Sequence, residues 1–212
     1  MNYYNIFSPI IHHKTPESAW KYAMQMIRTY GNTVVTEDNQ MTKELMNLVL
    51  TVKDPMREGN WPIPGSSWNN IDALNRYAAQ LMNTDVNGFD YTYGNRIGAH
   101  IGVNDDGRIT SYDQLKNVID KLSKDRSTRR AVMITWYPSD INKVHVPCMI
   151  MDEFIIRNDE LYLTAVFRSH DIERAWPANV YGLGRMMQVV ADACNVKCGA
   201  ITTVSVSAHV YV

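Results

Sequence analysis

A thiol, a cationic group and a carboxamide stand close together in the second half of this sequence. Cys148 follows Pro147, the segment Arg168–Asp171 (RSHD) comes later, and Asn179 follows shortly after it. A thiolate can attack an electron-poor carbon, guanidinium and hydroxyl groups can hold a phosphate, and a carboxamide offers both a donor and an acceptor to a ring edge. This set of side chains predicts covalent chemistry on a phosphorylated heterocycle.

Three arginines could provide the positive field that a reactive thiolate needs. Arg129 and Arg130 stand directly before an apolar segment that predicts a strand, and Arg168 stands at the end of another. If they converge on Cys148, these guanidinium groups would lower the pKa of the thiol and hold a phosphate by bidentate pairing. The alternatives are a buried, inert cysteine and ordinary surface arginines.

Other kinds of cysteine chemistry find less support. A Cys-and-Arg phosphatase needs an arginine at a fixed position of the same phosphate-binding loop, where this sequence has Phe154. A cysteine hydrolase would need a histidine base, and His209 is available, but the sequence offers no spacing test for that pair. Cys194 and Cys198 lack the second pair of ligands that a structural metal site requires, so we predict no metal.

The composition excludes some classes of partner. The 212 residues carry 21 basic and 22 acidic side chains without a long run of either sign, so neither a nucleic acid nor a membrane surface is predicted as a partner. We do not expect the first residues, Met1–Asn5, to begin a targeting segment, and the 3 cysteines, an odd number without dense spacing, argue against a disulfide framework. We expect one domain over residues 1–212 in a cytoplasmic protein.

Four segments have the apolar spacing of helices. The first begins at Thr15 and Pro16, a capping hydroxyl followed by a proline, and ends at Gly31. A long loop over residues 59–69, rich in proline, glycine and tryptophan, precedes the second helix. The remaining helices are predicted over residues 71–82, 115–122 and 179–194.

Strand signals dominate the second half of the chain. Asn158 and Asp159 predict the turn of a hairpin, and residues 105–107 predict another tight turn. Residues 45–52 fit either a buried strand or the end of a helix. The order of elements predicts an α+β fold with a mixed sheet and helices packed on it. Strands are predicted over residues 131–136, 149–157, 161–167 and 200–212.

Together, these motifs resemble the thymidylate synthase family. The likeness extends from about Tyr93 to Tyr211 and is most specific from Phe167 to Leu183, FRSHDIERAWPANVYGL. That stretch is most similar to the shorter archaeal and phage-type members. The resemblance implies the family's α+β fold, a large bent mixed sheet with flanking helices, assembled sheet to sheet into a homodimer.

The resemblance assigns catalytic roles to four residues. Cys148 matches the nucleophile that adds to C6 of the pyrimidine and thereby makes C5 a carbon nucleophile. Asn179 matches the amide that reads O4 and N3 of uracil. Tyr93 matches the tyrosine near C5 that takes part in proton removal, and Glu44 matches the glutamate that organises the proton-relay water. For Tyr93 and Glu44, ordinary structural roles are the alternative.

Further positions match residues that bind the nucleotide and the folate. The resemblance implies Arg168 and Ser169 as phosphate ligands, Arg129 and Arg130 as ligands of the partner subunit's phosphate across the dimer interface, His209 and Tyr211 as ligands of the ribose 3′-hydroxyl, and Asp171 as the carboxylate that binds the pterin.

The implied reaction is methylation of dUMP to dTMP with 5,10-methylenetetrahydrofolate, or a related reduced pterin, as one-carbon donor. A carboxamide at Asn179 favours uracil, since an acid at this position would suit cytosine better. One alternative is a 5-hydroxymethylase that acts on dUMP or dCMP with the same nucleophile and folate. Water exclusion separates these two reactions, and Trp61 or Trp68 is the candidate shield. Another alternative is a nucleotide-binding homologue without turnover.

Three departures from the family pattern bear on the chemistry. Met149 stands where members often have a histidine after the cysteine, so the water network near C4 is expected to differ. No arginine within residues 31–40 matches the usual arginine of an N-terminal phosphate loop. Members usually continue to a segment that closes over the folate. The sequence stops at Val212, so we expect either a different closure or a shortened sequence.

Overall fold

The computed structural model describes residues 9–212, so Met1–Asn5 lie outside the described residues. A short 3₁₀ helix, Pro138–Asn142, precedes the segment that leads to Cys148. The helices and strands follow in the order β1 (Ile10–His13), α1 (Pro16–Tyr30), β2 (Asn32–Val35), β3 (Met41–Val52), α2 (Ile71–Leu81), α3 (Tyr93–Gly98), β4 (His100–Val103), β5 (Ile109–Tyr112), α4 (Gln114–Lys124), β6 (Val132–Ile134), β7 (Met149–Arg157), β8 (Glu160–Asp171), α5 (Trp176–Cys194) and β9 (Lys197–Tyr211).

Local sequence signals explain where the long helices begin and end. In α1, the Thr15 hydroxyl accepts a hydrogen bond from the Ser18 amide at 3.3 Å, as its capping position predicts. Helix α5 begins at Trp176 rather than at Asn179, because Pro177 fits the first turn of a helix instead of preceding it. It ends at Cys194, and the residue that caps it, Asn195, has a left-handed φ of 51°.

Two strand predictions are refined by the structure. The ambiguous residues 45–52 form the last two-thirds of β3, a strand that pairs on both sides and buries Leu45, Leu48 and Leu50. Strand β6 is shorter than the predicted 131–136, because its ladder with β7 covers only Val132–Ile134. Beyond that ladder, the register of β7 with β8 shifts between Met149 and Met151.

Strand β9 lies at the centre of a seven-stranded mixed sheet. The strand order is β1-β3-β9-β8-β7-β6, and β2 also pairs with β3. Strand β9 is antiparallel to β3 and parallel to β8, which places Ser169 opposite Ser207 and Asp171 opposite His209. The polar ends of β8 and β9 therefore lie side by side.

Helices α1 and α5 cover one face of the sheet and form the core with it. Phe154, Phe167 and Trp176 are fully buried there. Burial of each such side chain contributes about 1.5–3 kcal/mol to folding. Alternate positions of the same strands, Val166 and Val204 among them, remain partly exposed on the opposite face. None of the helices within residues 9–212 combines the length and apolar character needed to cross a membrane.

Two glycines allow the helices around the site to approach each other closely. A Cβ on Gly182 of α5 would lie 3.1 Å from the Leu81 side chain and 3.2 Å from the Tyr77 ring, both on α2. A Cβ on Gly94 of α3 would lie 2.2 Å from the Gln80 carbonyl oxygen, also on α2. A Cβ at Gly94 would overlap backbone atoms of and just after α2, and a Cβ at Gly182 would press on two α2 side chains, so α2 lies close to both α3 and α5.

Candidate active site

A cavity of about 390 Å³ opens where β8, β9 and α5 meet. Strand register brings Ser169, Asp171 and His209 to its wall, and α5 adds Asn179. Seven of the residues predicted from the sequence line this cavity, namely Tyr93, Cys148, Ser169, Asp171, Asn179, His209 and Tyr211. Residues far apart in the chain are therefore brought together around the predicted nucleophile.

The Cys148 thiol is subject to two opposing electrostatic influences. Burial raises the pKa of the thiol, and the Arg168 guanidinium lowers it, with a raised pKa as the net result. Arg168 Nη2 lies 3.7 Å from Sγ of Cys148. Arg168 Nε donates a hydrogen bond to the Pro147 carbonyl oxygen at 2.9 Å, and Nη2 donates one to the Val146 carbonyl oxygen at 3.1 Å. These two bonds hold the guanidinium in place. A cation is thus in place to stabilise the thiolate when it forms.

Tyr93 presents a protonated hydroxyl beside the thiol. Its oxygen accepts a hydrogen bond from the Met149 amide at 3.1 Å. Burial raises the pKa of Tyr93 well above its ordinary value, and the neighbouring Tyr77 and Cys148 raise it further. The hydroxyl therefore keeps its proton at neutral pH and can donate it into the cavity.

Asn179 is almost fully buried, with 6% of its surface exposed. Its side-chain oxygen accepts a hydrogen bond of 3.0 Å from the Tyr77 hydroxyl. Tyr77 was not predicted from the sequence, because one tyrosine in a helix of ordinary periodicity carries no signal. Only the packing of α2 on α5 reveals that it lines the cavity.

Asp171 and the two aromatic residues of β9 form the opposite wall. The Asp171 carboxylate accepts a hydrogen bond from the Arg174 amide at 2.9 Å. The Arg174 guanidinium lies over the Tyr211 ring, 4.9 Å from its centroid, and the ring of His209 meets that of Tyr211 edge-on. This wall combines a carboxylate, a cation and aromatic surface, a set suited to a polar heterocycle.

His170 also lines the cavity, with an uncharged ring. Its Nδ1 lies 2.9 Å from the Ser205 hydroxyl, and its ring stacks on that of Phe167. Burial, with a smaller contribution from His209, lowers the pKa of His170 to about 3, so the ring is neutral across the physiological range. The sequence contained this residue in its RSHD motif but indicated no role for it.

The two candidate tryptophan shields differ in their positions. Trp68 lines the cavity, donates a hydrogen bond of 2.6 Å to the Arg174 carbonyl oxygen and packs edge-on against Tyr77. Trp61 instead hydrogen-bonds the Pro55 carbonyl oxygen, packs against Tyr181 and does not line the cavity. Of these two tryptophans, Trp68 is therefore the one that lines the cavity.

Three predicted residues do not line the cavity. Glu44 lies opposite His209 in the β3–β9 ladder, and its carboxylate accepts a hydrogen bond from Ser207, so it adjoins the strand that forms the cavity wall without being part of that wall. Arg129 and Arg130 are exposed and do not converge with Arg168 on Cys148 within one chain. They lie before β6, because their segment connects α4 to the edge of the sheet.

A second cavity of about 590 Å³ adjoins the first. Tyr77 and Tyr93 line both cavities, and the Arg168 side chain reaches into the second one. Phe89, Tyr91 and other residues of the loop before α3 form its outer wall. The space around the thiol is therefore larger than one nucleotide base requires, and a second molecule could lie beside it.

A buried ion pair holds the segment that leads to Cys148. Arg96 of α3 binds both carboxylate oxygens of Asp140, at 2.8 and 2.9 Å, and stacks on the Tyr137 ring. Burial would raise the pKa of Asp140, but hydrogen bonds from Arg96, the Tyr137 amide and Lys143 outweigh it and lower the pKa to about 2. The carboxylate therefore stays charged and paired, and it anchors the segment to α3.

Within residues 9–212, no group of three or more His, Cys, Asp or Glu side chains is arranged to hold a metal ion. Cys194 is buried and Cys198 half-buried, and both are free thiols away from the cavity.

This chain is similar in sequence to a family of known proteins. Residues 21–212 match the family model described as thymidylate synthase. A protein of Methanococcoides burtonii named "Putative thymidylate synthase" is 41% identical over 204 residues, which cover 95% of this chain and 89% of the relative. Relatives with the same printed name occur in Methanosarcina barkeri, at 39% over 95% of this chain and 89% of the relative, and in Methanocaldococcus jannaschii, at 30% over 92% and 87%. The chain belongs to the thymidylate synthase family.

Proposed function

We propose that this protein is a thymidylate synthase that converts dUMP to dTMP through a covalent bond between Cys148 and C6 of the uracil. The observation that carries the proposal is the single cavity that holds a thiol, a buried carboxamide and a carboxylate. Addition of Sγ to C6 moves electron density to C5 and O4, which turns an unreactive ring carbon into a nucleophile.

The side chains around Cys148 suit the charges that this addition creates. The Arg168 guanidinium, 3.7 Å from Sγ, stabilises the attacking thiolate. The amide nitrogen of Asn179 donates to O4, where negative charge develops. The Tyr93 hydroxyl, buried next to the thiol, takes part in moving the C5 proton. Glu44 does not line the cavity, so its predicted role in the proton relay would have to be exerted through a water molecule.

Methylenetetrahydrofolate or a related reduced pterin supplies the one-carbon unit and the hydride that makes it a methyl group. The donor set of the cavity fits such a molecule, because Asp171 can accept from the N–H groups of a pterin and Trp68 offers an aromatic wall. The adjoining cavity of about 590 Å³ leaves room for the remainder of the folate. Trp68 would also exclude water from the reacting carbon.

The nucleotide would be held by Arg168 and Ser169 at its phosphate and by His209 and Tyr211 at its ribose. Arg129 and Arg130 would complete the phosphate site of a second subunit, which is why we propose a homodimer. Two features support a dimer: both arginines are exposed, and the sheet face away from α1 and α5 keeps partly exposed apolar residues. Packing two such faces together would bury them.

The reaction is tested by incubating the protein with dUMP and methylenetetrahydrofolate, following dihydrofolate by absorbance and identifying the nucleotide by mass. Dihydrofolate with dTMP is expected. Hydroxymethylated nucleotide without dihydrofolate would show that the protein is a hydroxymethylase instead of a synthase. The absence of any product would indicate a nucleotide-binding protein without turnover. Cys148→Ala should abolish turnover, whereas Cys198→Ala, which removes a half-buried thiol outside the cavity, should not. A Cys148→Ala variant that keeps turnover would contradict the covalent mechanism.

A further inference from the structure

Tyr77 is placed to control which edge of Asn179 meets the substrate. Its hydroxyl donates to Asn179 Oδ1 at 3.0 Å, and no other hydrogen bond of either side chain is made with residues 9–212. The Asn179 amide nitrogen is thus left without a protein partner, in a residue that lines the cavity. The carboxamide therefore offers its N–H₂ donor to a ligand.

We propose that the Tyr77 hydroxyl sets the preference of this site for uracil over cytosine by fixing the orientation of the Asn179 carboxamide. This inference rests on the proposed function, in which Asn179 reads the pyrimidine edge. A donor at the ligand side fits the O4 acceptor of uracil, and the second lone pair of Oδ1 can accept from N3–H. The 4-amino group of cytosine would meet the same donor and could not pair with it.

Binding of cytosine would require the carboxamide to rotate by half a turn. Its nitrogen would then face Tyr77, and the tyrosine would have to accept a hydrogen bond instead of donating one. Among the described residues, the Tyr77 hydroxyl makes no hydrogen bond other than the one to Asn179, so its proton would lose its acceptor. Buried donors that lose their acceptor weaken binding, so the rotated form is disfavoured.

Two further observations support a fixed tyrosine rather than a mobile one. The ring of Tyr77 is held between Gly182 of α5, where a Cβ would lie 3.2 Å from it, and the Trp68 ring, 5.5 Å away between centroids. Burial raises the pKa of Tyr77 above its ordinary value, with smaller contributions from Tyr91 and Cys148, so the hydroxyl remains a donor at neutral pH.

The chain offers a matched control for this hydrogen bond. Tyr181 of α5 donates to Oδ1 of Asn75 on α2 at 2.5 Å, so the same two helices are joined by a second tyrosine-asparagine pair. Neither Tyr181 nor Asn75 lines the cavity. Tyr181→Phe therefore measures how the loss of a tyrosine-asparagine bond between α2 and α5 affects helix packing alone. Tyr77→Phe has the same effect on packing and, in addition, removes the bond that orients Asn179 towards the substrate.

The experiment measures the dissociation constants of dUMP and dCMP by calorimetry for the unaltered protein, Tyr77→Phe, Tyr181→Phe and Asn179→Ala. We expect Tyr77→Phe to lower the preference for dUMP over dCMP by about tenfold, the scale of one hydrogen bond. Tyr181→Phe should leave that preference unchanged. In Asn179→Ala the preference should fall, and adding Tyr77→Phe should then have no further effect on it, because the tyrosine acts through the asparagine.

Equal losses of preference in Tyr77→Phe and Tyr181→Phe would overturn the inference in favour of simple packing. An unchanged preference in Tyr77→Phe, with a lowered one in Asn179→Ala, would show that the carboxamide is oriented by something else. If the unaltered protein does not bind dUMP, the proposed function fails and the inference falls with it. That failure is seen before any variant is made, so the two results are distinguishable.

Discussion

Replacing Asp152 by leucine should raise the stability of this protein and flatten its dependence on pH. Asp152 is fully buried in β7, and neither carboxylate oxygen has a hydrogen-bond partner among the described residues. Its neighbours on the adjacent strands are Met133 and Ala165, both fully buried. An apolar side chain of similar shape would therefore suit the position better.

The expected size of the effect follows from the pKa of this carboxyl group. Burial raises the pKa of Asp152 from 3.8 to about 8. Between those values the folded protein keeps a proton that the unfolded chain has released, so the free energy of unfolding falls as pH rises. The slope is at most about 1.4 kcal/mol per pH unit, which amounts to a loss of about 2.7 kcal/mol between about pH 5 and about pH 7.

The assay is urea unfolding of the unaltered protein, Asp152→Leu and Asp152→Asn at several pH values between about 5 and 8. Protein concentration is held constant, because association of subunits would also change the apparent stability. Asp152→Asn cannot titrate, so it should lose the slope while keeping unpartnered polar atoms, and Asp152→Leu should be the more stable of the two. A constant difference between the unaltered protein and Asp152→Leu at every pH would refute the reasoning.

Three further predictions concern the site and its supports. Arg168→Gln should raise the pKa of Cys148, because the guanidinium beside the thiol lowers it; alkylation by iodoacetamide at about pH 8 should slow about threefold to tenfold, whereas exposed Arg108→Gln should leave it unchanged. Asp140→Asn should destabilise the fold by about 3–5 kcal/mol in chemical unfolding, because it leaves Arg96 buried without its counter-ion; a loss below about 1 kcal/mol would contradict that role. With a pKa of about 2, the Asp140 contribution should persist above its unfolded pKa of 3.8 and disappear as pH falls towards 2. Gly94→Ala would place a Cβ 2.1 Å from the Asn83 carbonyl oxygen, so we expect a loss of about 1–3 kcal/mol and slower turnover through displaced Tyr93. Gly102→Ala meets only the Tyr112 side chain, at 3.0 Å, and should be milder; equal losses in both glycine variants would contradict the close approach of α2 and α3.

The parts of the site that the sequence predicts are those carried by unusual residue types in short motifs. The chemistry of Cys148, which follows a proline, and of the RSHD segment can be predicted from the residue types and their order. The Asn158-Asp159 hairpin turn and the Thr15 helix cap are equally local, and the structure confirms both. Each of these features depends on neighbours in the chain, which a sequence displays directly.

The features that the sequence could not predict depend on contacts between distant segments. Arg96 and Asp140 are separated by 44 residues, and each alone looks like an ordinary surface charge. Tyr77 reaches Asn179 over 102 residues, through the packing of α2 on α5. Residues 45–52 remained ambiguous because a buried strand and a buried helix end have the same apolar composition, and only pairing with β1 and β9 distinguishes them.

The central position of β9 has a consequence for how the chain must fold during synthesis. This strand follows all the other described elements in sequence, yet it supplies the partner for both β3 and β8. Until the ribosome has made it, the nascent protein carries two unpaired strand edges, which are surfaces that favour aggregation. His209, on the same strand, joins the other cavity residues at that late step, so the cavity wall is completed when the two strand edges become paired.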